Sequence, residues 1–127
     1  MREIEFRGKD IEDGDWVYGY LDATMYKTLY CIHTDYGTHT VIPETIGQYT
    51  GLCDKNGVGI FEGDIVKCYH LFNDEILFIT WCDERVRFLL TERPNDYSWY
   101  LCPSDVEDIE VIGNIYDNPE LLKGGDQ

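Results

Sequence analysis

Two Cys-x-His pairs carry the most specific chemistry in this chain, Cys31-Ile32-His33 and Cys68-Tyr69-His70. On extended backbone, residues two apart project from the same face, so each pair could present a thiolate and an imidazole together. If the two strands adjoined, Cys31, His33, Cys68 and His70 would offer tetrahedral zinc two sulfurs and two nitrogens. Structural zinc sites more often use tighter C-x-x-C knuckles, and a buried cysteine is more often a small hydrophobe. The expectation is therefore no metal and no cofactor, with those four residues as the alternative.

Other catalytic patterns are weaker. The run GVGIFEG (57–63) resembles a glycine-rich phosphate loop, but its spacing is off by one and it leads into a β-rich run. A phosphate loop needs a helix N-terminus to supply amides and dipole. Ser98 and Ser104 are the only serines, and neither sits in a nucleophile elbow. With 25 Asp and Glu residues, any pair of carboxylates can be proposed as acid and base, which discriminates nothing. No catalytic constellation emerges, and the expectation is that the protein is not an enzyme.

Aromatic residues give a binding hypothesis instead. In WVYGYL, Trp16, Tyr18 and Tyr20 share one strand face, and Val17, Gly19 and Leu21 the other. The smaller set suits an inner face, leaving a ring-lined outer surface for a partner or a second subunit. Tyr97, Trp99 and Tyr100 are expected to extend such a surface from a loop. The competing reading is that these rings fill the core of a small β protein with few aliphatic residues.

The elements that must position these groups are mostly strands. Segments such as WVYGYLDA, KTLYCIHT, THTVI, DIVKCYHLF, EILFITWC, RVRFLLTE and IEVIGNIYD alternate with period two and recur about every ten residues. Regular short strands of this kind point to a β-barrel or sandwich rather than to βαβ units. FNDE (72–75) and CDER (82–85) read as turns of a meander. Asp54-Lys55-Asn56-Gly57 reads as a hairpin turn, because Asn-Gly tolerates positive φ, and residues 64–71 as the strand beyond it. SDVE at Ser104 fits a capping box, limited to one turn by the β-branched residues behind it. DNPELLKGG predicts a short helix capped by Asn118, begun by Pro119 and stopped at Gly124.

Composition bounds the partners. The chain has 127 residues and a formal net charge of −15. Length fits one domain, expected over 1–123 with a flexible tail at 124–127. So negative a chain repels phosphate polymers and anionic lipid, whose non-specific binding depends on Lys and Arg. Nucleic acid is not an expected partner, although gathering Arg2, Arg7, Lys9, Arg85, Arg87 and Arg93 into one patch would change that. No apolar run is long enough to span a membrane, and MREIEFRGKDIEDGD has no signal-peptide core. Five cysteines without an export signal read as reduced thiols in a cytoplasm.

Two stretches repeat. GKDIEDGDWV from Gly8 and GVGIFEGDIV from Gly57 share G-x-x-I-x-[D/E]-G-D-x-V without a gap. An internal duplication and a turn solution reached twice both account for a match that covers only ten positions, six of them shared.

The blocks REIEFRGKD, GDWVYGYL, ETIGQYTGLCDKNG, IFEGDIVK and VIGNIYDNPELL, in this order, resemble the YopX family of phage and prophage proteins. The resemblance runs from residue 2 to about residue 122. It weakens from about Asp22 to Tyr36 and from Asn73 to Tyr100. It implies a mainly β fold, an SH3-like barrel with additional strands and a short C-terminal helix, encoded by a phage or prophage in a bacterial host. No activity and no catalytic residues come with it, and fold kinship alone licenses no function. The resulting expectation is a non-enzymatic protein-interaction module in the host cytoplasm, a homo-oligomer acting on a host or phage protein. A nucleic-acid-associated SH3-like barrel is the alternative, with a small metal protein or enzyme behind it.

Overall fold

A computed structural model describes residues 5–23, 29–69, 75–92 and 97–123. The chain condenses into two compact units, residues 1–51 and residues 52–127. Among the described residues no helix is long and apolar enough to cross a membrane.

The first unit is an antiparallel sheet. It contains β1 (Phe6–Lys9), β2 (Trp16–Ala23), β3 (Tyr30–Thr34), β4 (Gly37–Thr40) and the start of β5 (Gly47–Cys53). Hydrogen bonding runs in the order β4-β3-β2-β1-β5. Register places Lys9 opposite Trp16, Arg7 opposite Tyr18 and Tyr20 opposite His33. Period-two alternation therefore sorts Trp16, Tyr18 and Tyr20 from Val17, Gly19 and Leu21, as the pattern predicts. Ile32 and Val41 are buried on the face that holds Gly8 and Gly19. Gly19 is required there: a Cβ would stand 2.1 Å from the His33 carbonyl oxygen. Strand β2 lies that close to β3 because position 19 has no side chain.

The second unit begins within β5 at Leu52. Its chain turns at Asp54–Val58 into β6 (Gly59–Phe61), the expected hairpin. It continues through β7 (Asp64–Cys68), β8 (Glu75–Cys82), β9 (Arg87–Glu92) and β10 (Tyr97–Tyr100). A 3-10 helix (Pro103–Asp108), β11 (Ile109–Asn114) and α1 (Glu120–Lys123) complete it. The sheet order is β10-β9-β8-β7-β11, so a meander is closed by β11 returning beside β7. Val66 pairs with Leu77 and Val111, Ile79 with Leu90, and Ile109 with Cys68. Paired residues share a face, and this face is the core, with Ile60 of β6 and Leu101 packed into it. Ile65 and Phe78 are buried on the opposite face, and α1 packs against β8.

The architecture is mainly β, with two antiparallel sheets and a one-turn C-terminal helix; as hydrogen-bonded, both sheets are open. Several local expectations are corrected. Tyr97, Trp99 and Tyr100 belong to strand β10 and not to a loop. Ser104 does not cap: the 3-10 helix starts at Pro103 with Cys102 at the N-cap position and no side-chain cap, because Pro103 already presets its first turn. Asn118 turns its carbonyl to the Asn114 amide instead of into α1. The turns at 72–74 and the Gly124 stop, together with the 124–127 tail, lie outside the described residues.

The repeated stretches do not occupy equivalent places. Gly14 and Gly63 both adopt positive φ, 77° and 94°, so the shared glycine has one job in both. Yet β1 and β2 form a hairpin within one sheet, whereas the chain passes at Gly63 from β6 into a different sheet at β7. Ile11 is 55% exposed while its counterpart Ile60 is fully buried. The match describes a glycine turn that launches a strand.

Candidate interaction surfaces

On β2 the ring-bearing face is the outer one. Tyr18 is 45% exposed and Tyr20 73% exposed, while Trp16 is half-buried. Trp16 is covered because β1 sets Arg7 and Lys9 over its indole, at 4.5 Å and 5.5 Å from the ring centroid. An indole quadrupole attracts such cations by about 0.5–1 kcal/mol at exposed sites and about 2 kcal/mol where the cation is desolvated. Arg7 itself is buried. The surface that remains is a tyrosine pair beside a cation-capped tryptophan, amphipathic and stiff.

Next to it lies a polar line. His33 Nδ1 is 2.9 Å from Thr38 Oγ1 and its Nε2 is 3.1 Å from Asp22 Oδ2. Cys31 Sγ is 3.8 Å from Thr40 Oγ1. Both nitrogens of His33 are thus engaged across β2, β3 and β4. Strand β3 pairs with β2 and β4, while β7, which carries Cys68, pairs with β8 and β11. The register therefore does not bring the two Cys-x-His pairs onto adjacent strands, and His70 lies outside the described residues. Among the described residues no three His, Cys, Asp or Glu side chains gather to hold a metal. Burial pushes the Cys68 thiol up to about 12, with Asp108, Asp105 and Glu75 adding to it, so it stays protonated. None of the five cysteines is in a disulfide.

In the second unit β10 splits the expected aromatic group. Trp99 pairs with Leu90 and faces the core side at the sheet's end, whereas Tyr100 pairs with Leu89 on the other face. The Tyr97 side chain is outside the described set. Tyr100 is instead the floor of a cationic site: Arg87 lies 3.7 Å over its ring and Arg85 5.7 Å. Arg85 Nη1 also donates to Tyr100 Oη at 2.7 Å, and that bond first of all raises the Arg85 pKa. Between the two arginines Val86 sits at φ 53°, the sole non-glycine residue at positive φ among those described. For a β-branched residue this conformation is strained by about 1–2 kcal/mol.

A third ring repeats the theme. Lys55 and Lys67 lie 4.2 Å and 5.0 Å over Tyr69, whose hydroxyl donates to Glu110. All six described Lys and Arg side chains therefore cap a Trp or Tyr ring, two cations to each ring. Sequence reading missed these pairings because all except Lys67 with Tyr69 join residues that only the tertiary fold makes neighbours. The Glu92 carboxyl is also perturbed: its hydrogen bond to Glu75, then desolvation and the Glu75 charge, raise it above the ordinary value.

A mainly β protein with two open antiparallel sheets and ring-and-cation surfaces is what the geometry defines. The family model for YopX protein matches residues 5–123, and the chain belongs to the YopX family. Among solved structures, it is similar to the crystal structure of protein EF1440 from Enterococcus faecalis. That likeness has 25% identity and a TM-score of 0.61, covering 96% of this chain and 99% of that one. No curated protein gives a match.

Proposed function

We propose that this YopX-family chain is a non-enzymatic protein-interaction module of a phage or prophage. It modulates a host or phage process in the bacterial cytoplasm, as a homo-oligomer. The observation that carries this reading is the exposed pair Tyr18 and Tyr20 on a rigid strand, beside a Trp16 already covered by Arg7 and Lys9. Rigid tyrosines supply large amphipathic contact area at low entropic cost, which is why they are enriched at interfaces. An SH3-like barrel is part of the proposal. Its support is the β5–β6 hairpin, which adds Leu52 and Ile60 to the core face of the five-stranded sheet.

Affinity capture from lysogenic host extract tests it, with bound proteins identified by mass spectrometry and light scattering reporting the oligomer. Wild type should retain a defined protein, and the Tyr18→Ala/Tyr20→Ala chain should lose it while melting normally. Equal retention by both chains would refute the assignment to β2.

A nucleic-acid-associated role is the second reading, favoured by Arg87 over the Tyr100 ring and Arg85 bonded to its hydroxyl. The net charge of −15 opposes it, since phosphates approaching at a Debye length of about 8 Å are only partly screened. We expect no measurable binding to mixed duplex DNA or single-stranded RNA near physiological salt. Micromolar, salt-sensitive binding abolished by neutralising Arg85 and Arg87 would reverse the order of the two readings.

A further inference from the structure

We propose that Arg85, Arg87 and Tyr100 form a receptor for a carboxylate side chain on an extended acidic segment of a protein partner. The proposal rests on the protein-interaction reading and adds a second, chemically defined contact to it.

Three features converge on this site. Two guanidinium groups share one tyrosine ring, which holds two like charges close together, and the Glu84 charge is the smallest of the influences on Arg85. Among the described residues neither arginine makes an ion pair, in a chain with 25 acidic residues. Arg87 Nε is moreover buried without a hydrogen-bond partner, an arrangement that stability alone disfavours. Finally, Val86 is 69% exposed and held at positive φ with no burial to compensate. Val86 stands between Arg85, from the β8–β9 turn, and Arg87, from β9, and these two address the same ring. Strain retained at one exposed residue between two convergent cations is the pattern of a binding site.

The chemistry selects the ligand. Guanidinium forks match planar oxyanions in a bidentate manner, and stacking on Tyr100 fixes the fork's plane before the ligand arrives. A carboxylate placed at the pair removes their repulsion and meets donors already oriented. A phosphate polymer would satisfy the same forks, but it also brings a row of further charges toward a strongly acidic protein. A short acidic segment brings few, and its neighbouring apolar residues can pack on the exposed side of Tyr100.

The test is fluorescence anisotropy with the full chain and a labelled peptide alternating Glu and Val. The comparison probes are its Gln-for-Glu counterpart and a labelled short single-stranded oligonucleotide. The Glu peptide should bind, weaken with added salt, and exceed the Gln peptide by about tenfold or more. Arg85→Gln/Arg87→Gln should abolish the difference. Arg87→Lys keeps the charge but loses the fork, and it should weaken the Glu peptide by about tenfold, which covers the case of a double variant that fails to fold. Equal binding of Glu and Gln peptides, no binding at all, or indifference to Arg87→Lys overturns the proposal. Tighter binding of the oligonucleotide overturns it in favour of nucleic acid. If Tyr18 and Tyr20 still govern partner capture after such a failure, the interaction-module reading stands and this contact alone falls.

Discussion

Replacing Asp54 should reveal how much of the second unit depends on one carboxylate. Asp54 is 6% exposed and its side chain accepts three backbone N–H bonds. Oδ1 takes the amides of Asn56 at 2.8 Å and Val58 at 2.9 Å, and Oδ2 takes Val111 at 2.8 Å. The first two shape the turn between β5 and β6; the third ties that turn to β11, 57 residues away in the chain. Hydrogen bonds to a charged acceptor contribute about 1.5–3 kcal/mol each, and a buried amide left without a partner costs about 1–3 kcal/mol. Asp54→Asn can keep the Oδ1 pair but sets an NH2 group against the Val111 amide, a loss of about 2 kcal/mol. Asp54→Ala abandons all three amides, and partial hydration of the turn limits the loss to about 4 kcal/mol. For a unit of this size, 1 kcal/mol shifts the Tm by about 4–8 °C, so Asn should lower it by about 10 °C and Ala by more. Thermal unfolding by circular dichroism measures the shift, and amide hydrogen exchange at Val111 reports the long-range bond directly. If Asp54→Ala melts within about 3 °C of wild type, or Val111 keeps its protection, the carboxylate does not hold the unit together.

Gly19→Ala should abolish soluble folding or cost more than about 3 kcal/mol, because its Cβ would collide with the His33 carbonyl; a wild-type melting curve would contradict the close approach of β2 and β3. Iodoacetamide labelling followed by mass spectrometry should modify the exposed Cys53 readily and leave Cys68, held near 12, untouched until the protein unfolds. Purified protein should carry no stoichiometric zinc and keep its melting temperature in chelator, whereas one zinc per chain lost on replacing Cys68 and His70 would revive the metal site. The Asp10 carboxyl is held below its ordinary 3.8 by the Glu12 amide and then by His39, whose Nδ1 lies 2.8 Å away. A depressed carboxylate stabilises fully above its unfolded value and loses that contribution as pH falls through the folded one. Acid titration of stability below about pH 4 should therefore fall less steeply in Asp10→Asn than in wild type.

Local patterns carried the strands and turns. Alternation over Trp16–Ala23 sorted the rings from the small residues before any neighbour was known, because a strand's two faces follow from its own period. Asp54-Lys55-Asn56-Gly57 announced a turn for an equally local reason: Gly57 takes φ 84°, which glycine tolerates. The order of motif blocks pointed to the YopX family. Tertiary structure decided everything that depends on which strands meet. Only β11 returning beside β7 converts Asp54 from a turn residue into a long-range anchor. Only the β8–β9–β10 register brings Arg87 onto Tyr100, thirteen positions along the chain, and turns a supposed loop of aromatics into a strand with two different faces. The Gly8 and Gly57 stretches share six of ten positions, yet one folds as a hairpin and the other as a passage between sheets. A turn motif constrains four or five dihedral angles, whereas the partner a strand finds is set by burial and hydrogen bonding summed over residues far apart in the chain.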